Sequence, residues 1–381
     1  MSALPLFPVT TVGSWPRPGV VLASWRALRS GEISPERHER AVDNAVREAV
    51  EAQHRAGVDL VTDGEQARDN FYSFVADKLD GVRLMTLAEM LEHVEDKEGF
   101  SRLLDTLDVP AFSIRNPTCV GRVRAREPLV LPDLERLRRH TGRPIKVTLP
   151  GAYLLTRAMW VPELSREAYD SKEALGRDVV AILREEVARL AAAGADFIQL
   201  DEPVLTELVF SQGQTRTFMC ASLAARGDPS DELRWAVEML GEVLASAAGV
   251  RTGLHVCRGN WSRDERTLLR GRYAPLAPWL AQVPVTQLVL EYATPRAGEV
   301  ISPGDKELGL GVVNPRSEDV EAPEQIVARV EAALQVVPRE RVFLNPDCGF
   351  GTFSARPIND AETAERKLAA MVEAARRLRG A

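Results

Sequence analysis

His255 and Cys257 lie two residues apart in the run RTGLHVCRGNW. In an extended strand, side chains two apart project from the same face. An imidazole nitrogen beside a thiolate sulfur suits zinc, a borderline-soft ion. Two further donors follow along the chain. Glu291 closes QLVLE, and Cys348 sits in LNPDCGF. The four would supply one nitrogen, one oxygen and two sulfurs. With only four cysteines and five histidines in the chain, few residues compete for that role. Cys119 and Cys220 have no such setting and are expected as small buried side chains. His38, His54, His93 and His140 fall in charge-rich stretches and are expected on solvated faces.

A second set of residues is anionic. Glu65 in TDGEQ and Asp201 in QLDEP each follow an apolar run. Such acids either cap helices, pair with an arginine such as Arg68, or hold a cationic substrate group, for example an α-amino group. Ser14, in VGSW, is either an ordinary turn residue or a donor to a substrate carboxylate, together with backbone N–H groups near Gly13. Trp160, in LLTRAMW, either packs in the core or caps a flat ligand.

These residues need a frame. Eight short runs read as strands: 7–14, 58–63, 144–149, 196–201, 251–256, 287–291, 308–313 and 342–345. Most are continuously apolar, as parallel strands buried on both faces are. Helical patterns lie between them at 34–56, 171–194, 230–248, 322–336 and 360–379. The first opens on Ser34 and Pro35, and the second closes on Gly194, which are start and stop signals. Alternating strands and helices predict an α/β fold, a (β/α)8 TIM barrel, with an open doubly wound sheet as the alternative. In such a barrel chemistry collects at the C-terminal ends of strands. Ser14, Glu65, Asp201, His255, Cys257, Glu291 and Cys348 all fall at such ends. Residues 71–142 break the rhythm. They read as an excursion between strands two and three, over the barrel mouth. It holds a helical part (LAEMLEHVEDKEGFSRLLDTL) and a strand pair (AFSIRNPTCVGRVRA with PLVLPDLE). No repeat or linker divides residues 1–381, so a single domain is expected.

Composition excludes several classes. The 381 residues are 45% apolar and 27% charged, an ordinary globular mixture. Forty-eight basic against 55 acidic residues give a net charge of −7, so no nucleic-acid partner is expected. No apolar run approaches the roughly 18 residues of a membrane span. The start, MSALPLFPVTTVGSW, lacks the basic region of a signal peptide, so a cytoplasmic protein is expected.

The stretches TTVGSWPRP, TDGEQARDNFYSFVADKLDG, KVTLPGAYLLTRAMW, FIQLDEPVLTE, GLHVCRGNW, LVLEYA, LGLGVVNPRS and LNPDCGFGTF span nearly the whole chain. Together they resemble the C-terminal catalytic barrel of cobalamin-independent methionine synthase. The resemblance implies zinc-dependent transfer of a methyl group to a thiol, normally that of homocysteine. It implies zinc on His255, Cys257, Glu291 and Cys348. It implies the amino acid substrate at Val12, Gly13, Ser14, Glu65 and Asp201. Glu291, the hard donor of the set, is then the ligand expected to loosen when substrate sulfur arrives.

Two departures bear on the methyl donor. The sequence has no counterpart of the family's second, N-terminal barrel, which helps to hold folate. The family's histidine after strand seven is replaced in GVVNPRSEDVE, where Arg316 falls near its place. The expected donor is therefore methylcobalamin or a corrinoid protein rather than a free methyl folate. The barrel also resembles epoxyalkane–coenzyme M transferases, but coenzyme M has a sulfonate and no amine for Glu65 and Asp201 to hold. A non-catalytic zinc-binding barrel is the third reading.

Overall fold

The computed structural model describes residues 4–93, 97–98, 115–210, 227–260, 262–265, 268–353 and 358–380. Strands β1 (Leu79–Thr86) and β2 (Arg115–Ala125) form an antiparallel pair. Six more strands form one parallel sheet in chain order: β3 (Lys146–Pro150), β4 (Phe197–Asp201), β5 (Arg251–Val256), β6 (Gln287–Leu290), β7 (Glu307–Val313) and β8 (Val342–Pro346). Every residue of β3, β4, β6 and β8 is buried, as their unbroken apolar character requires.

The sheet closes on itself. Val9 bridges to Leu344 of β8, Thr10 to Leu60, and Val61 to Ile145 at the edge of β3, all in parallel. The result is a (β/α)8 barrel. Its first two staves, expected as strands over 7–14 and 58–63, are reduced to single bridges. Backbone bonds still join them to their neighbours, Thr10 N–H to Leu344 O at 3.0 Å, Asp59 N–H to Val9 O at 2.9 Å and Lys146 N–H to Val61 O at 2.8 Å, and side chains add to these. Asp59 Oδ2 accepts from the Val9 N–H at 2.9 Å, and Thr10 Oγ1 donates to Leu60 O at 2.9 Å. Gln53 pairs with both backbone groups of Thr62, at 3.0 and 2.9 Å.

The register levels the strand ends. Pro150 lies opposite Asp201, and Asp201 opposite His255. Helices Pro35–Ala56, Lys172–Ala192, Pro229–Leu244, Pro323–Ala333 and Ala361–Arg379 surround the sheet much as their patterns predict. Pro35–Ala56 buries Val42, Val46, Ala49 and Val50 at three-and-four spacing and stops at Gly57, whose φ of 89° suits glycine.

In the excursion, β2 covers the expected RNPTCVGRVRA, but its partner differs. The segment expected to pair with it, PLVLPDLE, contributes instead to helix Leu131–Arg138. Pro132 in the first turn favours that start, and the leucines at 131, 134 and 137 have helical spacing. The true partner is β1, with Gly81 at its bulge. Most of the expected helix LAEMLEHVEDKEGFSRLLDTL lies outside the described residues. Its start, Leu87–Met90, is a single turn held by a capping box between Thr86 and Glu89. Among the described residues, no helix is long and apolar enough to cross a membrane.

Candidate active site

The end of β5 delivers His255, the next inward position delivers Cys257, and the turn after β8 delivers Cys348. One donor atom from each lies within 4.8 Å of the others. Tetrahedral zinc with S and N ligands spaces its donors about 3.4–3.8 Å apart, so the three can share one ion with small side-chain shifts. His255 Nδ1 lies 3.2 Å from Val289 O. A carbonyl only accepts, so this contact puts the proton on Nδ1 and leaves Nε2 with its lone pair. That Nε2 is buried without a hydrogen-bond partner. An orphaned imidazole nitrogen between two sulfurs fits a soft divalent cation. The thiols are uneven. Contact with the Cys257 thiol and with His255 holds Cys348 down, to about 5, while the same contact and burial push Cys257 up.

Glu291 follows β6 but stands apart from this trio. Its carboxylate accepts from Arg258 Nη1 at 3.2 Å, from Arg296 Nη2 at 3.2 and 3.3 Å, and from Asn260 Nδ2. Burial disfavours its charge, but Arg296 and Arg258 outweigh that and hold it below the usual carboxylate range.

Val12, Ser14, Glu65, Asp201, His255, Cys257 and Cys348 line one cavity of ≈ 620 Å³, its open side included. Glu65 has φ of 55°, a rare conformation for a residue with a side chain. Asp63 Oδ1 accepts from its N–H at 3.0 Å, and Arg17 Nη2 donates to its carbonyl at 2.8 Å. Its Oε1 accepts from Thr148, while Oε2 is buried and unpartnered. Asp201 Oδ1 accepts from Gln199 Nε2 at 2.7 Å. Burial pushes the Asp201 carboxyl up to about 7; His255 opposes the shift and Glu65 adds to it. Gly13 does not line the cavity. It is needed beneath it, because a Cβ there would collide with the Glu65 carboxylate.

Residues 7–377 match the family model described as the catalytic domain of cobalamin-independent synthase. The chain belongs to that family. It is accordingly a methyltransferase of the methionine synthase type. It is 29% identical over 379 residues to the methionine synthase of Saccharolobus solfataricus, covering 98% of this chain and 95% of that one. It is 28% identical over 376 residues to the methionine synthase of Pyrococcus horikoshii, covering 97% and 92%. In three dimensions it resembles a B12-independent methionine synthase from Shewanella sp. W3-18-1 in complex with selenomethionine. The TM-score is 0.72 at 21% identity, covering 99% of this chain and 98% of that one, which establishes the shared fold.

Other residues of this synthase-family chain lie away from the cavity lining. Trp160 ends helix Ala152–Met159 and packs into the core rather than against the cavity. His38 is buried rather than solvated, with Nδ1 2.9 Å from Ser24 Oγ, because helix Gly19–Arg29 packs over it. His54, His93 and His140 are half-buried beside Thr141, Glu163 and Asp43. None of these four histidines lines the cavity. Cys119 is fully buried, as expected. Cys220 lies outside the described residues.

The sequence reading missed Lys146, Asn260 and the cavity's aromatic wall of Phe71, Tyr72 and Phe353. Lys146 is buried in the barrel with Nζ donating to Thr11 O at 2.8 Å. Burial drives its ammonium down to about 7, against the pull of Asp201 and Glu65. A lysine inside the otherwise apolar run PIKVTL was the available signal.

Proposed function

We propose that this methyltransferase makes methionine by moving a methyl group onto the thiol of homocysteine, with zinc held by His255, Cys257 and Cys348, and by Glu291 until the substrate thiol arrives. One observation carries the proposal: a nitrogen–sulfur–sulfur trio and two buried carboxylates line the same cavity. Zinc, when bound, supplies the charge that keeps a thiol ionised at neutral pH. The protein's residues supply the rest. Glu65 Oε2, buried without a partner, is the acceptor proposed for the substrate ammonium. Asp201 is the second anion facing it. Ser14 and the backbone of Val12 and Gly13 lie on the side proposed for the substrate carboxylate. Phe71, Tyr72 and Phe353 line the cavity and are the apolar surface proposed to keep water from it. We take the chain as one domain, with residues 71–142 contributing Phe71 and Tyr72 at the mouth.

The two carboxylates argue against a sulfonate thiol such as coenzyme M, which would add a third negative charge. A reducing, cytoplasmic setting is proposed, because Cys257 and Cys348 have to stay as thiols. For the methyl donor we propose methylcobalamin or a methyl-corrinoid protein. His255 is the one imidazole among the cavity-lining residues, and it belongs to the trio. The proposal is tested by incubating zinc-loaded protein with homocysteine and a panel of methyl donors and measuring methionine. No methionine from any donor, with folded zinc-loaded protein, would refute it.

A further inference from the structure

Thr11, Val12 and Gly13 lead the first stave into the cavity wall, and side chains from inside the barrel take all three of their carbonyls. Lys146 Nζ, on β3, donates to Thr11 O at 2.8 Å. Gln199 Nε2, on β4, donates to Val12 O at 3.1 Å and to Asp201 Oδ1 at 2.7 Å. A carbonyl only accepts, so the Gln199 amide has one orientation. Thr62 Oγ1, on the second stave, donates its one proton to Gly13 O at 2.9 Å, and so accepts from Thr11 Oγ1 at 2.9 Å. Lys146, Gln199 and Thr62 are all buried. A planar trans peptide points its N–H opposite to its carbonyl. Fixing these carbonyls therefore fixes the N–H groups of Val12, Gly13 and Ser14, which meet no acceptor among the described residues. Ser14 is held from the far side as well. Its O accepts from the Phe350 N–H at 2.9 Å and its Oγ from the Gly351 N–H at 3.3 Å, which leaves the hydroxyl proton to donate. Gly349, on the cavity wall, makes room for that hydroxyl, since a Cβ there would lie 2.1 Å from Ser14 Oγ.

We infer that Lys146, Gln199 and Thr62 are positioning residues for the amino acid substrate, which set the peptide planes from Thr11 to Ser14 and so aim the Ser14 N–H and hydroxyl at the substrate carboxylate. The inference rests on the homocysteine reading proposed above. Burying an ammonium and an amide inside a barrel is costly, and an apolar side chain would fill the same space without that cost. Here both spend their donors on the main chain of one short segment. A carboxylate held by backbone N–H groups depends on that segment's direction, because a hydrogen bond weakens steeply as its angle closes. The ammonium end is set independently, with Glu65 aimed by Thr148. Neither Lys146 nor Thr62 hydrogen-bonds to Glu65 or Asp201, so substituting them separates the two ends of the substrate.

The test compares three thiols by calorimetry on zinc-loaded protein. They are homocysteine, mercaptopropylamine, which lacks the carboxylate, and γ-mercaptobutyrate, which lacks the ammonium. Thr62→Val keeps the shape and removes the bond to Gly13 O. It should weaken homocysteine and γ-mercaptobutyrate about fivefold and leave mercaptopropylamine within about twofold. Lys146→Met should lower the ratio of homocysteine to mercaptopropylamine affinity about tenfold. Lys146 also feels the charges of Asp201 and Glu65. Losing its charge acts alike on the two amines and cancels in that ratio. Zinc content should stay at the wild-type value in both variants. If Lys146→Met does not fold, Thr62→Val decides alone. Equal weakening of all three thiols, or unchanged homocysteine affinity in folded Thr62→Val, overturns the inference. Wild-type protein that binds homocysteine no more tightly than mercaptopropylamine refutes instead the carboxylate site on which the inference rests.

Discussion

Thr148 Oγ1 donates to Glu65 Oε1 at 2.9 Å, tying the interior of β3 to the turn after the second stave. The bond aims the carboxylate and leaves Oε2 buried without a partner. A substrate ammonium would complete it. Losing one charge-assisted hydrogen bond costs on the order of 1.5–3 kcal/mol. Glu65→Gln should therefore weaken homocysteine binding about ten- to a hundredfold, measured by calorimetry. Gln keeps an acceptor for Thr148, so zinc content should be unchanged. Unaltered homocysteine affinity would remove Glu65 from the substrate site.

The trio makes a sharper demand. Removing Cys348 leaves one sulfur and one nitrogen, too few soft donors to retain zinc through purification. Metal analysis of wild type should give one zinc per chain, and Cys348→Ala should give almost none. Full zinc in Cys348→Ala would mean that the ion sits elsewhere.

Asp201 carries a stability prediction. Its folded value of about 7 lies above the ordinary aspartate value. The folded state thus binds the proton more tightly than the unfolded chain. The stabilisation that this provides is complete below the unfolded value near 4 and is lost as pH rises through about 7. In metal-free protein, Asp201→Asn should raise the melting temperature more at pH 8 than at pH 5. Equal shifts at the two pH values would show that Asp201 ionises as an ordinary surface acid does.

What could be read from the sequence follows a physical division. Six staves and the pairing of His255 with Cys257 depend on apolar runs and the two-residue period of a strand, which are local. The first two staves pair over fewer residues than their apolar runs, with side chains of Asp59, Thr10 and Gln53 bonding backbone groups beside the ladder bonds that remain. Nothing in an apolar run reports that. The surroundings of Glu291 were hidden for another reason. Arg258 and Arg316 reach it, directly or through Asn260, only after β5, β6 and β7 are side by side. Trp160 packs into the core, one of the two settings that its position after β3 left open, because position along the chain does not fix orientation.

The methyl donor gives the last prediction. A methyl folate carries its methyl on a tertiary amine, a poor leaving group until protonated, so transfer needs an acid at the cavity. Histidine could serve near neutral pH. Arg316 cannot, since a guanidinium stays protonated, and its Nε and Nη2 are already donated to Asn260 and Glu265. The other four histidines lie outside the cavity lining. Cobalt leaves a methylcorrinoid without prior protonation, so no such acid is required. Zinc-loaded protein, incubated alone with homocysteine, should form methionine from methylcobalamin and little or none from free methyltetrahydrofolate. The converse result would require a different acid. Asp201, with its value near 7 and its place on the cavity wall, is then the first residue to test, by asking whether Asp201→Asn abolishes folate-dependent turnover.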